Sequence, residues 1–152
     1  MFKKVLKNQK GLTLIELLAV VVILGIIAAI AIPSIGNIIQ KSKEDALKAD
    51  AMQVISAAKT YVSANGIPDE NGTVAAGTIT KDMLKKYVDD VTNLDDYTVA
   101  VTTDATSGGN VYKITSPNAI TIGSAKITLT GATITGIKAD KDKTGTDRTI
   151  NN

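Results

Sequence analysis

A nearly uninterrupted apolar run close to the N-terminus constrains this chain more than any other feature. The 21 residues from Leu12 to Ile32 are apolar except for Thr13, Glu16 and Gly25. At 1.5 Å per residue a helix of that length is roughly 31 Å long, which matches the hydrocarbon core of a bilayer. The sequence therefore predicts a membrane-spanning helix that carries one carboxylate, that of Glu16.

A short basic segment precedes the apolar run. Residues 1–11 contain four lysines and no acidic residue, and they end at Gly11. Lysines before an apolar run keep that end of the chain in the cytoplasm. An ordinary secretory signal peptide has a shorter apolar region and a small-residue cleavage site behind it, which residues 28–31 imitate, but the helical pattern continues beyond them. Cleavage after Gly11 fits better because it retains the apolar run in the mature protein.

The basic segment, Gly11, Glu16 and the apolar run together form a specific sequence pattern. Residues 10–18 read KGLTLIELL and are followed by the apolar run and Pro33. This pattern resembles the N-terminus of type IV pilins and of the pseudopilins of type II secretion and competence systems, and the resemblance covers residues 3–65. It implies that a membrane prepilin peptidase cleaves between Gly11 and Leu12 and methylates the new amine of Leu12, where Phe is the usual family residue.

The carboxylate of Glu16 needs a partner, because a charge inside a membrane span is costly. The residues alone allow it to reach the lipid headgroups. The resemblance instead assigns Glu16 and Thr13 to subunit assembly, with the carboxylate neutralising the N-terminal amine of a neighbouring subunit. Gly25 and Pro33 weaken the helix, which predicts a kinked span. The resemblance adds that the helix loses order between such positions in a filament.

Behind the apolar run, the spacing of apolar residues is first that of a helix and later that of β-strands. From Ser34 to Ala64 the pattern is that of an amphipathic helix, so one helix is expected from Leu12 to Ala64, ended by Asn65-Gly66. A short helix, Lys81–Val88, is expected behind an N-cap at Thr80. Period-two patterns then predict five strands, at Tyr97–Thr103, Asn110–Thr115, Ala119–Ile122, Lys126–Thr130 and Thr133–Ile137.

The expected fold is therefore α+β and type IV pilin-like. The apolar half of the long helix should protrude, and its amphipathic half should pack on a C-terminal antiparallel sheet. The expected divisions are a cleaved leader (1–11), a transmembrane and filament-core helix (12–33), a head (34–137) and a solvated polar tail (138–152). Many heads of the family close a C-terminal loop with a disulfide, which this chain without cysteine cannot form.

Composition limits the chemistry. The absence of His and Cys excludes thiol and imidazole catalysis and zinc sites built from those residues. No nucleophile–base constellation and no phosphate loop occurs, so we expect no enzyme. Asp140, Asp142 and Thr144 match the start of a calcium loop, but the closing Glu is missing, and a solvated tail is the favoured interpretation. No other cofactor is expected.

The predicted function is that of a structural subunit, a major pilin, of a type IV pilus. The resemblance implies a helical homo-oligomer, a prepilin peptidase, an assembly platform protein and an ATPase as partners. It places the subunit first in the cytoplasmic membrane and then on the cell surface. Removing the four leader lysines from the 17 basic residues leaves 13 against 15 acidic ones, which argues against nucleic-acid binding. Alternatives are a secretion or competence pseudopilin and a simple membrane-anchored domain.

Overall fold

The computed structural model describes residues 13–69, 75–89, 91–140 and 144–151. Its longest element is helix α1, Leu14–Asn65, with 52 residues. The helix ends as predicted: Gly66 follows at a φ of +81° and donates its N–H to the carbonyl of Val62 at 2.9 Å. Glycine adopts this left-handed conformation without a steric penalty, so it terminates the helix efficiently.

The chain divides into two compact units, one ending at Ile38 and one beginning at Ile39. In the first unit, every Leu, Ile and Val from Leu14 to Ile38 is more than half exposed. These residues are long and apolar enough as a helix to cross a membrane, by length and composition. The apolar run is therefore helical, as predicted, and its side chains are not buried within this unit.

Where the structure describes it, the second unit contains the C-terminal part of α1, two three-stranded sheets and two short helices. The first sheet has the order β1-β2-β3 and is antiparallel throughout; its strands are Thr78–Thr80, Thr98–Thr103 and Asn110–Thr115. The second has the order β4-β5-β6, with strands Ile120–Ile122, Ala125–Leu129 and Arg148–Ile150. In it, β4 and β5 are antiparallel, whereas β5 and β6 are parallel. The short helices are α2, Lys81–Leu84, and α3, Ile134–Ala139.

The core of this second unit forms between one face of α1 and the sheets. Buried residues of α1 recur at helical spacing, namely Leu47, Ala51, Val54, Ile55 and Ala58. The strands contribute alternate side chains, namely Ile79, Val99, Val101, Ile114, Ile127 and Leu129. This packing of a long helix on one antiparallel and one mixed sheet confirms the predicted α+β, type IV pilin-like fold class.

Two expectations about the head are wrong in detail. The predicted strand Thr133–Ile137 is helix α3, because the Thr133 hydroxyl accepts a hydrogen bond from the N–H of Gly136 at 3.2 Å and caps the helix. The strands form two sheets and not the single meander that was expected. Two of these strands, β1 and β6, were not predicted from the sequence. The short helix predicted at Lys81–Val88 is only one turn, Lys81–Leu84.

The expectation of a solvated tail from residue 138 onward is also wrong for the described residues. Helix α3 continues to Ala139, and β6 pairs with β5. Ile150 is 3% exposed, and the side chain of Arg148 is 6% exposed. The polar composition of this region is misleading because its charged side chains find partners inside the protein.

Candidate functional site

The N-terminal end of α1 is closed by a reciprocal pair of side chains. The Glu16 carboxylate accepts hydrogen bonds from the backbone N–H of Thr13 at 2.7 Å and from its hydroxyl at 2.9 Å. The Glu16 N–H donates to the Thr13 hydroxyl oxygen at 3.3 Å. This is a capping box, which satisfies donors that the first helical turn leaves without partners. The Thr-x-x-Glu spacing was visible in the sequence, but its capping role was not recognised there.

The capping box turns the Glu16 carboxylate back toward the start of the helix. Thr13 directly follows Leu12, so the carboxylate points at the backbone next to the predicted new N-terminus. Gly11 and Leu12 lie outside the described residues, and cleavage and methylation there stay predictions. The structure thus brings Thr13 and Glu16 together, two of the four residues predicted for processing and assembly.

Gly25 and Pro33 both lie within the continuous helix α1. A Cβ atom built on Gly25 would meet no other atom within 4 Å, so contacts inside this chain do not require glycine there. A small residue on an exposed apolar helix is typical of a position where another helix approaches closely. Pro33 lacks the N–H that would bond the carbonyl of Ala29. Loosening of the helix at these positions in a filament stays a prediction.

The N-terminal segment also matches known proteins. Residues 6–32 match the prokaryotic N-terminal methylation motif. The type IV major pilin protein PilE1 of Neisseria gonorrhoeae is 37% identical over 86 residues, which are 55% of this chain and 39% of the relative. A type IV major fimbrial protein FimA of Dichelobacter nodosus is 48% identical over 54 residues, 36% of this chain and 35% of the relative.

The N-terminal segment of the chain is therefore similar to that of type IV major pilins and fimbrial proteins. The chain spans only about a third to two fifths of the length of the relatives that it matches. No solved structure matches the chain with significance. The matched motif contains Thr13 and Glu16, and the head of the chain has to be understood from its own contacts.

That head contains a buried group of four charges that the sequence did not reveal. We call Glu44, Lys48, Asp140 and Arg148 the charge cluster. Glu44 and Lys48 lie one turn apart on α1, Asp140 is the C-cap residue of α3, and Arg148 begins β6. The exposed fractions of the four side chains are 1%, 12%, 9% and 6% in that order. Two negative and two positive charges make the cluster neutral as a whole.

Arg148 connects the two carboxylates of the cluster. Its Nη2 lies 2.8 Å from Glu44 Oε2 and 2.8 Å from Asp140 Oδ2. Its Nε donates to both oxygens of Asp140, at 3.0 Å and 2.9 Å. The Nζ of Lys48 lies 3.2 Å from Asp140 Oδ2 and also donates to the Asp140 carbonyl. The planar guanidinium suits this geometry because its N–H groups point at two acceptors at once.

The remaining acceptors of the cluster are also occupied. Glu44 Oε1 accepts from the amide of Gln40 at 2.6 Å and from the N–H of Gly145 at 2.8 Å. The same Gln40 amide reaches the β4–β5 turn, where it donates to the Ile122 carbonyl at 2.7 Å and accepts from the Ser124 N–H at 3.2 Å. Among the described residues, no buried polar side-chain atom is left without a hydrogen bond. Such complete pairing is what makes buried charges tolerable.

These contacts favour the ionised forms of Glu44, Asp140 and Arg148. Burial raises the pKa of Glu44, but hydrogen bonds from Gln40, Gly145 and Arg148 outweigh burial and hold this pKa below its usual value. Burial likewise raises the pKa of Asp140, and the hydrogen bonds and charges of Arg148 and Lys48 lower it further than burial raises it. The same two carboxylates raise the pKa of Arg148 against the effect of its burial.

The charge cluster bears on the calcium prediction for Asp140, Asp142 and Thr144. The carboxylate of Asp140 is held by Arg148 and Lys48, and a calcium ion would have to displace both. Asp142 lies outside the described residues. Where the structure describes the chain, no three acidic side chains converge on one point. Calcium binding remains an untested hypothesis, and Arg148 and Lys48 would compete with the ion for the Asp140 carboxylate.

Proposed function

We propose that this chain is a structural subunit, a major pilin, of a type IV pilus. The observation that carries the proposal is the exposed apolar half of α1 with the Glu16 carboxylate at its start. Such a surface has to be covered by lipid or by the same helices of other subunits. The relatives' names, a type IV major pilin and type IV major fimbrial proteins, support the pilus over a simple membrane anchor.

The proposed sequence of events begins in the cytoplasmic membrane. A prepilin peptidase cleaves between Gly11 and Leu12 and methylates the amine of Leu12. The subunit waits with its apolar helix in the bilayer, and an ATPase with a platform membrane protein moves it into a helical homopolymer at the cell surface. The apolar side chains leave lipid for other apolar side chains, so the hydrophobic gain of this transfer is small.

Because the hydrophobic gain is small, polar contacts have to set the geometry of the polymer. The Glu16 carboxylate and the Leu12 amine of a neighbouring subunit form a pair that is favourable only when both are present. In the isolated chain, the capping box with Thr13 supplies the carboxylate with two donors at 2.7 Å and 2.9 Å. Thr13 thus holds Glu16 near the helix start until the neighbouring amine arrives.

The test uses Glu16→Val in cells that express the full chain, with Asp82→Asn as the control because Asp82 is an exposed carboxylate of the head. We expect mass spectrometry to show that both variants lose residues 1–11 and gain one methyl group on Leu12. Sheared surface filaments should be lost in Glu16→Val and retained in Asp82→Asn. Normal filaments from Glu16→Val would refute the pairing role.

The alternatives give different results in the same experiment. A membrane-anchored domain keeps its leader, so an unprocessed wild-type mass would refute the pilin proposal altogether. A pseudopilin of a secretion or competence system is processed and methylated but forms no long surface filaments under electron microscopy. Processed wild-type protein without such filaments would therefore favour the pseudopilin over the major pilin.

A further inference from the structure

The C-terminal segment, which we define as residues 144–151, has few apolar contacts that attach it to the head. Ile150 is its one buried apolar residue, at 3% exposure, within the described part of the chain. Its strand β6 is three residues long and pairs with β5 on one side. Ordering the segment costs conformational entropy. The burial of one isoleucine and the short backbone pairing with β5 offset only a small part of that cost.

Charged side chains supply most of the other contacts of this segment. Arg148 binds Glu44 of α1 and Asp140 at the end of α3, and the N–H of Gly145 donates to Glu44 at 2.8 Å. Outside the cluster, Asp147 accepts from the N–H of Lys126 on β5 at 2.7 Å. The segment is therefore attached to α1 through Glu44, and its attachment depends on a complete set of charges.

Most of the core lies outside this segment, since Ile150 is the one residue of 144–151 in the core cluster. The buried side chains of α1, β2 and β3 pack on each other, and β2 and β3 pair along six residues. If Arg148 is lost, Glu44 and Asp140 remain as buried carboxylates with fewer donors. Undocking of residues 144–151 lets water reach them, and hydration of a buried charge is strongly favourable.

We propose that Glu44, Lys48, Asp140 and Arg148 form an ionic lock that holds residues 144–151 on α1 and β5, and that breaking this lock releases the segment as a unit while the remaining head stays folded. Because the chain has no cysteine, no disulfide can hold this segment. Opening of the lock uncovers the edge of β5 that pairs with β6. An unpaired strand edge is a surface to which another strand can add.

The experiment is hydrogen exchange with mass spectrometry on the full chain in detergent micelles, comparing wild type, Arg148→Gln and the control Lys85→Gln. Lys85 also forms an ion pair, 2.7 Å from Asp82, but both side chains are largely exposed. In Arg148→Gln we expect exchange of residues 144–151 to accelerate on the order of 100-fold, from the cost of leaving buried charges unpaired. A peptide that contains β2 and β3 should exchange far more slowly than residues 144–151 in every variant, because its opening requires the remaining head to unfold.

A second variant, Lys48→Met, removes the partner of Asp140 but leaves Arg148 bound to both carboxylates. It should accelerate exchange of residues 144–151 by less than Arg148→Gln does. If residues 144–151 and the β2–β3 peptide exchange with the same free energy of opening in wild type and in Arg148→Gln, the segment is not a separate unit and the proposal is overturned. Unchanged exchange of residues 144–151 in Arg148→Gln would equally overturn it.

Discussion

The charge cluster leads to a stability prediction in which two substitutions should be less harmful than one. Arg148→Met removes the cation that lies 2.8 Å from both Glu44 and Asp140. Removing one member of a buried ion pair typically costs about 3–5 kcal/mol, because a charge is left without compensation. Here Asp140 keeps Lys48, and Glu44 keeps the donors of Gln40 and Gly145, so we expect a loss near the lower end, about 3 kcal/mol.

Adding Glu44→Gln to Arg148→Met should recover part of that loss. The double variant no longer buries an unpaired Glu44 carboxylate, and the remaining Asp140 and Lys48 charges balance each other. Contacting residues in one network commonly show interaction free energies of about 0.5–3 kcal/mol. We therefore expect the double variant to be at least about 1 kcal/mol more stable than Arg148→Met alone.

The assay can follow the head selectively. All four tyrosines of the chain lie in it, at positions 61, 87, 97 and 112, and Tyr97 is 1% exposed. Tyrosine fluorescence during urea unfolding in detergent micelles therefore reports on the head and not on the apolar helix. The exposed pair Asp82 and Lys85 supplies the control Lys85→Met, which should not change the free energy of unfolding measurably. The reasoning fails if Arg148→Met behaves like Lys85→Met, or if the effects of the two substitutions simply add.

Two further predictions use the same fluorescence assay. Glu44 and Asp140 have pKa values lowered by folding, so their stabilisation is complete above the ordinary carboxyl range, near pH 4, and is lost as pH falls toward their folded values. The melting temperature should decrease below about pH 5 more steeply in wild type than in Glu44→Gln, and equal slopes would contradict this. Among the described residues, the charged groups around these two carboxylates are Lys41, Asp45, Lys48, Lys138 and Arg148. Gly77→Ala should destabilise the head by about 2 kcal/mol, because Gly77 has a φ of +72° and a Cβ atom would lie 2.6 Å from the Val101 carbonyl oxygen. The control Gly108→Ala has a φ of +66° with open space around it, so it should lower the free energy of unfolding by less. Equal losses in the two variants would refute the steric argument.

The N-terminal half of the molecule could be predicted from the sequence because its determinants are local. An apolar run inside a membrane has to be helical, because its backbone N–H and C=O groups find no water to bind there. Gly66 ends the helix through its own backbone conformation. Residues 10–18 form a continuous motif. In the head, by contrast, Thr133–Ile137 is rich in Ile and Thr and has the composition of a strand. It is a helix because Thr133 caps it and because Ile137 is buried in the core, and the second of these is a tertiary contact.

The charge cluster could not be predicted because its members are far apart in the sequence. Glu44 and Arg148 are separated by 104 positions, and Glu44 is flanked by the exposed Lys43 and Asp45. The sequence does contain one informative detail, since Arg148 is its one arginine among 17 basic residues. A lysine at this position would present a single point charge and could not hold both carboxylates with parallel N–H groups. Arginine at position 148 is therefore explained by geometry, because its guanidinium binds the Glu44 carboxylate of α1 and the Asp140 carboxylate before β6 at the same time. In a chain without cysteine, these contacts attach residues 144–151 to α1.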